Sequence, residues 1–497
     1  MVLTAVTLFY LLLLFGAGQQ LFRDSDAGWH IRAGEQMLAT GRLPAGDPYS
    51  FSKAGAPWFA WEWLADVTMG AAHQWDGLRG VALLYSFLIA ACSWLWVRLH
   101  WAVNGSFLLA ALMALPMLST ANLHWLARPH VFSWVLLLGG LAWLEHRRSF
   151  QIRGPELAAI AFIGAFWANL HASFLLPVAL LLIFALAASI EPLIWTARPT
   201  GRAPWFLAAA AACLAGTFLN PYGWQLHLHV FRYLGNTELL ARIGEFQSFN
   251  FHAEGAGQIL AGVVIASVGM TAAFAQGRLA HALIIAALLA GSLRSARGLP
   301  LLALVALPLA NGAITAALGS LRGLQPKAQR WLESFLNYSF NLRALERNHA
   351  GCTWVPILMV LSAALLHTPA LAQRVGFPAD QFPVAAARRL PPGDGVRLLA
   401  PDKFGGYLIY ASAGQRKVFF DGRSDFYGVA FMKDYIKLVE VRPGWDQILN
   451  RYSFTHALLP NNYSLIPALA QRGWHETYRD QTATLLVAPR KANDGPQ

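Results

Sequence analysis

Two carboxylates near the start of the chain, Asp24 and Asp26, are the first residues whose types and spacing suggest chemistry. His30 follows Asp26 by one helical turn. Such a set can supply a general base, or it can hold a divalent cation such as Mg²⁺ or Mn²⁺ through oxygen ligands. The alternative is that the acidic residues only end a helix and solvate a loop. The spacing alone leaves both interpretations open.

The composition predicts the kind of molecule that must position these residues. Of the 497 residues, 56% are hydrophobic and 13% are charged, whereas about 25% of the residues of a soluble domain are charged. The apolar residues occur in long blocks, which is typical of a membrane protein that crosses the bilayer many times. The net charge of +12 therefore indicates basic loop ends that set the topology, not a nucleic-acid partner.

A helix needs roughly 20 mainly apolar residues to span a bilayer, and about eleven segments meet this requirement if shorter ones are included. Basic residues are concentrated in alternate connections. The positive-inside rule therefore places the N-terminus in the cytoplasm and the C-terminus outside. The predicted spans are 2–20, 79–97, 105–122, 130–146, 156–169, 171–190, 203–219, 257–275, 279–293, 299–319 and 353–371.

Two domains are predicted from this threading. Residues 1–371 form the transmembrane domain, with outer loops at about 21–78 and 220–256. Residues 372–497 read as ordinary soluble sequence and are expected to form a small α/β domain on the outer, periplasmic face. Its predicted strands lie in GVRLLAP, KVFFDGR and HALLP, and its predicted helices at 427–441 and 464–472.

Polar residues that could contact a substrate fall at one end of the predicted spans, on the outer face. Helix capping and side chains that reach toward water explain each of them singly. Those explanations account less well for carboxylates, histidines and arginines converging on one side, which predicts a site there. Besides Asp24, Asp26 and His30, the residues are Arg128, His130, Asn169, His171, Asn220, Tyr222, Glu245, Gln247, Arg294 and Arg297.

A carboxylate-bearing outer loop directly after the first span resembles the first loop of the GT-C glycosyltransferases. The run from Asp24 to Phe51 is similar to the corresponding loop of bacterial oligosaccharyltransferase catalytic subunits. Nearly the whole chain resembles a group of bacterial membrane proteins of this type. The phrases that carry the resemblance are DSDAGWHIRAG, ARPHVFSW, WANLHASF, LNPYGW, GEFQS, GGYLIY and FFDGRSDFYG.

The resemblance implies a multi-pass, GT-C-like enzyme of the bacterial inner membrane that is active on the periplasmic side. Such an enzyme moves a sugar from a polyprenyl-phosphate-linked donor to a glycan, lipid or protein acceptor. The tail lacks the Trp-Trp-Asp-Tyr-Gly motif of oligosaccharyltransferases, so peptide N-glycosylation is not supported. No glycine-rich phosphate loop precedes a helix, which argues against a nucleotide-sugar donor.

Charge then suggests roles for the candidate residues. Arginine matches the geometry of phosphate, so Arg128, Arg294 and Arg297 are candidates for binding the donor phosphate. Asp24 or Asp26 is the candidate general base, or fixes the acceptor through a metal ion. The remaining candidates are Glu245 as a second acidic group of the catalytic set, and His30, His130, His171, Tyr222 and Gln247 as substrate-binding residues.

Three other functions stay open at this point. A lipid or glycan transporter, or flippase, would place its polar groups near the bilayer midplane and often shows repeated halves. The clustering of polar residues at one face disfavours that function. A ligase of lipid-linked glycans would depend on the outer arginines and not on the aspartates. A scaffold without catalysis would need only the C-terminal domain to bind a partner.

Overall fold

The computed structural model describes most of the chain. The predicted span 2–20 lies almost entirely outside the described residues, and much of the predicted span 353–371 does too. The described residues are 18–147, 149–196, 200–348, 360–362, 364–372, 374–392 and 395–489.

Helices dominate the part of the chain before the C-terminal region. The principal helices are α1 Asp26–Thr40, α2 Trp63–Ala102, α3 Phe107–Ala121, α4 His130–His146, α5 Gly154–Leu170, α6 Leu176–Ile194, α7 Ala203–Thr217, α8 Trp224–Gly235, α9 Ala256–Ala275, α10 Leu279–Arg294, α11 Leu307–Ser320 and α12 Pro326–Asn348. Short irregular turns connect several of them, including a 3₁₀ turn at Ala172–Leu175 before α6 and a π-helical turn at Leu302–Ala306 before α11.

Among the described residues, four helical segments are long and apolar enough to cross a membrane, and α3, α5, α7 and α10 are shorter apolar helices. The nine predicted spans from 79–97 to 299–319 all coincide with helical segments. A helical protein that crosses the membrane several times is therefore confirmed, whereas the number of eleven spans stays a prediction. The four long segments are Trp63–Ala102, Ala172–Ile194, Ala256–Ala275 and Ala296–Ser320.

Helix α2 consists of two helices joined by a kink at Asp76 and Gly77. The backbone of Gly77 has a φ of 57° and a ψ of −146°, a conformation that glycine reaches because it has no Cβ. Residues before the kink belong to the predicted outer loop, and residues after it begin the predicted span 79–97. The kink therefore separates the part of α2 that can carry a site from the part in the helical bundle.

The C-terminal region contains a small mixed sheet of four strands, β1 Leu398–Leu399, β2 His456–Pro460, β3 His475–Arg479 and β4 Ala483–Val487. Their order in the sheet is β1-β2-β4-β3. Strand β1 runs parallel to β2, and the other two pairs are antiparallel. This confirms a small α/β region, while the domain boundary at residue 372 stays a prediction. The elements are β1 Leu398–Leu399, α13 Asp402–Ala411, α14 Ser424–Val439, α15 Trp445–Tyr452, β2 His456–Pro460, α16 Leu465–Ala470, β3 His475–Arg479 and β4 Ala483–Val487.

Most of the predicted C-terminal elements are present. GVRLLAP contains β1, HALLP is β2, and the two predicted helices correspond to α14 and α16. The predicted strand in KVFFDGR is wrong, because Val418 forms only isolated bridges to Ser50 and Leu398. The ladder cannot continue, since Asp421 Oδ1 accepts a hydrogen bond from the backbone N–H of Arg423 and turns the chain.

Helix α1 carries the acidic candidates and packs closely against elements on two sides. A Cβ on Gly34 would lie 1.8 Å from the carbonyl oxygen of Asp66 in α2. A Cβ on Gly28 would lie 2.2 Å from the carbonyl oxygen of Gly406 in α13. Since real Cβ atoms cannot approach so closely, these glycines let α1 touch both neighbours. The C-terminal region is thereby held against the first outer loop.

Candidate active site

A polar cavity of about 780 Å³ lies where the first outer loop, the helix ends and the C-terminal region meet. It is lined by the start of α1, the turn before α4, the segment before α6, the residues around 244 and the start of α14. Most of the predicted site residues therefore meet in one place. Those that line the cavity are Asp24, Asp26, His30, Arg128, His130, His171, Glu245 and Arg297.

The predicted residues that do not line this cavity are Asn169, Asn220, Tyr222, Gln247 and Arg294. The Tyr222 hydroxyl accepts a hydrogen bond from the backbone N–H of Ala60 at 3.0 Å, and its ring stacks on Phe59. The Gln247 side chain donates to backbone carbonyls of the segment before it. Arg294 is exposed at the end of α10. Tyr222 and Gln247 hold segments in place near the cavity, but neither side chain reaches it.

The guanidinium of Arg128 lies at the centre of the acidic candidates. Its Nη1 is 2.9 Å from Asp24 Oδ2 and 3.0 Å from Glu245 Oε1, and its Nη2 is 2.9 Å from Asp26 Oδ2. Arg297 approaches the same Glu245 at 3.8 Å. We call these five residues the Arg128 cluster. It joins three carboxylates to two arginines on one wall of the cavity.

Burial and charge set the protonation of this cluster. Burial opposes the charged form of Arg128, but the carboxylates outweigh it and raise the pKa of Arg128 further above its usual value. Burial and the neighbouring Asp24 raise the pKa of Asp26 to about 7. Against burial, Arg128 and Arg297 lower the pKa of Glu245 to about 2. Asp26 can therefore exchange a proton near neutral pH, whereas Glu245 stays ionised.

Local structure places the two aspartates where α1 begins. Asp24 Oδ1 accepts a hydrogen bond from the backbone N–H of Asp26 at 2.8 Å, so part of its role is to start the helix, as the alternative interpretation of the sequence held. Gly422 lies directly against Asp26, and a Cβ there would fall 1.9 Å from Asp26 Oδ1. The C-terminal region thus helps to fix the orientation of the Asp26 carboxylate.

Two histidine–carboxylate pairs line the same cavity. His30 Nδ1 lies 2.6 Å from Asp66 Oδ1, and both side chains are 1% exposed. His171 Nε2 lies 3.5 Å from Glu62 Oε1. Glu62 and Asp66 were not among the predicted site residues. The available signal was their spacing of four residues, which puts both on one helix face.

The third histidine of the predicted set has a structural contact. His130 Nε2 donates to the backbone carbonyl of His124 at 2.7 Å and so ties the start of α4 to the preceding turn. That bond favours the structural interpretation of His130.

A second group of charges, around Arg423, completes the wall formed by the C-terminal region. Arg423 makes a two-point contact with Asp421, from Nε at 2.8 Å and from Nη2 at 2.7 Å. Its Nη2 also lies 2.8 Å from Asp47 Oδ1. Trp58 lies 4.8 Å from the guanidinium, measured to the ring centroid. The sequence contains the DGRSDFYG phrase, but it does not indicate that Arg423 in this phrase pairs with Asp47, which lies far away in the chain.

A smaller cavity of about 180 Å³ shares part of the lining of the main one. Arg128, Glu245 and Arg297 line both. The smaller cavity is also lined by the apolar side chains of Trp134, Leu137, Leu176 and Leu301 and by the polar side chains of His124, His130, Ser133, His171 and Ser173, and most of its exposed surface is apolar. Cations beside an apolar recess are suited to a ligand that carries an anionic group on a hydrocarbon chain.

The predicted metal site at Asp24 and Asp26 does not fit this geometry. Across the part of the chain that the structure describes, no group of three or more His, Cys, Asp or Glu side chains could hold a metal ion. The Arg128 guanidinium contacts both aspartates itself. In this arrangement the carboxylates of Asp24 and Asp26 form ion pairs with the side chain of Arg128.

Solved structures that share this fold include an oligosaccharyltransferase and ArnT. The oligosaccharyltransferase of Archaeoglobus fulgidus in its apo form aligns with a TM-score of 0.52 and 11% identity, over 92% of this chain and 69% of that one. ArnT from Cupriavidus metallidurans, bound to undecaprenyl phosphate, aligns with a TM-score of 0.51 and 15% identity, over 100% of this chain and 99% of that one. No family model and no curated relative matches the sequence.

The chain is therefore a multi-pass membrane protein with the fold of the GT-C glycosyltransferases, to which both of these enzymes belong. The resemblance found in the sequence is confirmed at the level of the fold. At these identities the likeness shows the architecture, whereas the substrate and the roles of individual residues have to be argued from the site.

Proposed function

We propose that this protein is a glycosyltransferase that moves a sugar from a polyprenyl-phosphate-linked donor to an acceptor. The observation that supports this most strongly is the meeting of Asp26, Arg128 and Arg297 in one cavity beside an apolar recess. A base, cations for a phosphate, and a place for hydrocarbon are what this transfer requires. The solved structure of ArnT with undecaprenyl phosphate adds support, because it shows this fold binding such a carrier.

The donor is proposed to bind with its phosphate at the two arginines and the start of its prenyl chain in the apolar recess. Arg297 is the more available cation, since its side chain is 35% exposed and its approach to Glu245 is a loose 3.8 Å. Arg128 adds positive charge from deeper in the wall. Arg294, predicted as a third phosphate ligand, lies outside the cavity and is left out of the proposed set.

In the proposed reaction an acceptor oxygen attacks the anomeric carbon of the donor sugar. The bond from that carbon to the phosphate oxygen breaks, and its electron pair stays on the polyprenyl phosphate, whose charge the arginines stabilise. Asp26 takes the proton of the acceptor hydroxyl. A carboxyl pKa of about 7 suits this role, because the group is deprotonated often enough and still basic enough to act.

The acceptor is proposed to be a glycan, lipid or protein that enters between the first outer loop and the C-terminal region. Trp58 and Trp61 line the cavity there and offer flat apolar faces. We propose that this side faces the periplasm of a bacterium, with the N-terminus in the cytoplasm and the chain in the inner membrane; the concentration of basic residues in the opposite connections supports this.

The test is release of polyprenyl phosphate by purified full-length protein from a panel of polyprenyl-phosphate-linked sugars, with bacterial envelope extract added as the source of glycan, lipid and protein acceptors. We expect Asp26→Asn to lower release by about 10² to 10⁴-fold, the usual contribution of a general base. Asp434→Asn is the matched control, since Asp434 pairs with Arg451 away from the cavity. Release by wild type and by the control, with loss in Asp26→Asn, supports the proposal.

Other outcomes separate the competing functions. Full release by both Asp24→Asn and Asp26→Asn, with loss in Arg297→Met, would replace the carboxylate mechanism with that of a ligase. Movement of lipid-linked sugar across proteoliposomes without release would make the protein a transporter. Neither release nor movement on any donor would contradict the proposed function.

A further inference from the structure

The Arg128 cluster has an unusual distribution of charge for a site made of three converging carboxylates. Asp24, Asp26 and Glu245 each contact the guanidinium of Arg128 at 2.9 to 3.0 Å. Carboxylate oxygens that converge on one point are the ligands that Mg²⁺, Mn²⁺ or Ca²⁺ prefer. Here a side chain of the protein itself supplies the positive charge at that point.

The backbone holds Arg128 in this position. Its own N–H donates to the carbonyl of Leu126 at 2.9 Å, and the N–H of Ala127 donates to the carbonyl of Leu21 at 2.9 Å. Pro129 follows directly and leads into α4, and proline restricts the conformation of the residue before it. Arg128 therefore stands on a tight turn that is fastened to the segment carrying Asp24, and its side chain is only 16% exposed.

The second arginine of the cluster is held differently. Within the described part of the chain, Arg297 makes one ion pair, with Glu245 at 3.8 Å, and its guanidinium lies 5.1 Å from the centroid of the Phe246 ring; its side chain is 35% exposed. It can turn toward a ligand without leaving a carboxylate unpaired, because Arg128 still contacts Glu245. Arg128 has no such freedom, since its withdrawal would take from Asp24 and Asp26 the ion pair that each makes with it and leave Glu245 with only the looser contact from Arg297. The two arginines thus divide into one fixed cation and one adaptable cation.

We propose that Arg128 is a built-in cation that takes the place of a divalent metal ion among Asp24, Asp26 and Glu245. Sugar transfer then proceeds without added metal. Removal of the Arg128 side chain lets the three carboxylates, which form no metal site as they are now placed, draw together around Mn²⁺ or Mg²⁺. The first statement rests on the proposed function. The second does not, because it concerns binding by the protein without any donor.

The direct test is Mn²⁺ binding to purified full-length protein, measured by the electron paramagnetic resonance signal of free Mn²⁺. The variants are wild type, Arg128→Met and Arg294→Met, the last being a matched loss of one arginine outside the cavity. We expect Arg128→Met to bind Mn²⁺ at least about tenfold more tightly than wild type or Arg294→Met, because a repelling charge has been removed. Adding Asp26→Asn to Arg128→Met should abolish that gain.

Two results would overturn the inference. One is tight Mn²⁺ binding by wild type that disappears in Asp26→Asn. The other is no gain of binding in an Arg128→Met protein whose unfolding transition shows that it is folded. If Arg128→Met does not fold, Arg128→Gln is the second variant, because it keeps polar contacts while removing the charge.

A second arm measures polyprenyl phosphate release with and without the chelator EDTA. We expect EDTA to leave wild-type release unchanged and Mn²⁺ to restore part of the release lost in Arg128→Met. Release that EDTA abolishes in wild type would contradict the built-in cation. If no variant releases polyprenyl phosphate, the proposed function fails, and the Mn²⁺ titration alone still decides the binding half of the inference.

Discussion

Arg128 and Arg423 both line one cavity and both contact several carboxylates, yet the geometry of these contacts differs. Arg423 forms a two-point contact with Asp421, and its side chain is 2% exposed. Arg128 gives each of three carboxylates a separate contact and is 16% exposed. Two-point contacts fix geometry, whereas separate contacts can be exchanged one at a time. The first arrangement suits a structural role and the second a chemical one.

The titratable groups around the two arginines support the same division into a structural role for Arg423 and a chemical role for Arg128. Arg423 closes a compact group in which Tyr427 also donates to Asp421, at 2.9 Å. The Arg128 cluster includes Asp26, whose pKa lies near neutrality, and Arg297, which is loosely held. Titratable groups with shifted pKa values in a cavity are typical of functional sites. The comparison therefore predicts that substitutions at Arg423 act on folding and that those in the Arg128 cluster act on turnover.

The largest effect is expected for Arg423→Met. The change would leave Asp47 and Asp421, both 0% exposed, buried without their counter-ion. Breaking such a pair by removing one partner costs about 3–5 kcal/mol. We expect a matching fall in the free energy of unfolding, measured in detergent by chemical denaturation. An unfolding curve like that of wild type would show that Arg423 does not stabilise the contact between the first outer loop and the C-terminal region.

The second-largest effect is expected for Gly422→Ala, which changes the contact between the C-terminal region and Asp26. The new Cβ would overlap Asp26 Oδ1 and push the carboxylate away from its position. A misplacement of about 1 Å can cost roughly 10²-fold in rate, so polyprenyl phosphate release should fall by that order. Gly291→Ala is the control, since open space surrounds Gly291. Equal release by both variants would mean that the position of Asp26 does not matter.

The sequence predicts which residues form the candidate site but not all of the contacts that position them. Asp24, Asp26, Arg128, Glu245 and Arg297 were placed together because apolar spans and charged connections fix which helix ends share a side. The role of Gly422 and the pairing of Asp47 with Arg423 could not be predicted, since each depends on contacts across several hundred residues. For the same reason the KVFFDGR segment was predicted as a strand, although it has no continuous partner.

A pH effect is expected from Asp26. As a base it must be deprotonated, and its pKa in the folded protein is about 7. The value of kcat/KM for the donor should therefore rise about tenfold per pH unit below 7 and level off above it. Glu62 also has a pKa raised to about 7 by burial. A Glu62→Gln variant should keep the same profile, and a profile that disappears in this variant would assign the titration to Glu62.

The smallest effect is expected for Tyr222→Phe. The substitution removes the acceptor for the backbone N–H of Ala60 but keeps the ring that stacks on Phe59. One hydrogen bond contributes about 1 kcal/mol to stability, so the free energy of unfolding should fall by that amount. Release should stay close to wild type. A large loss of release at unchanged stability would restore Tyr222 to the substrate-binding set.

We infer that the Arg128 cluster catalyses sugar transfer. The substitution Arg128→Lys separates this role from a purely structural one. Lysine keeps the charge but loses the planar fork that reaches several carboxylates. Polyprenyl phosphate release and the unfolding transition should be measured on the same preparation. We expect release to fall by about 10² to 10³-fold while the unfolding transition stays near that of wild type. Release close to wild type, or a loss that follows unfolding of the protein, would contradict it.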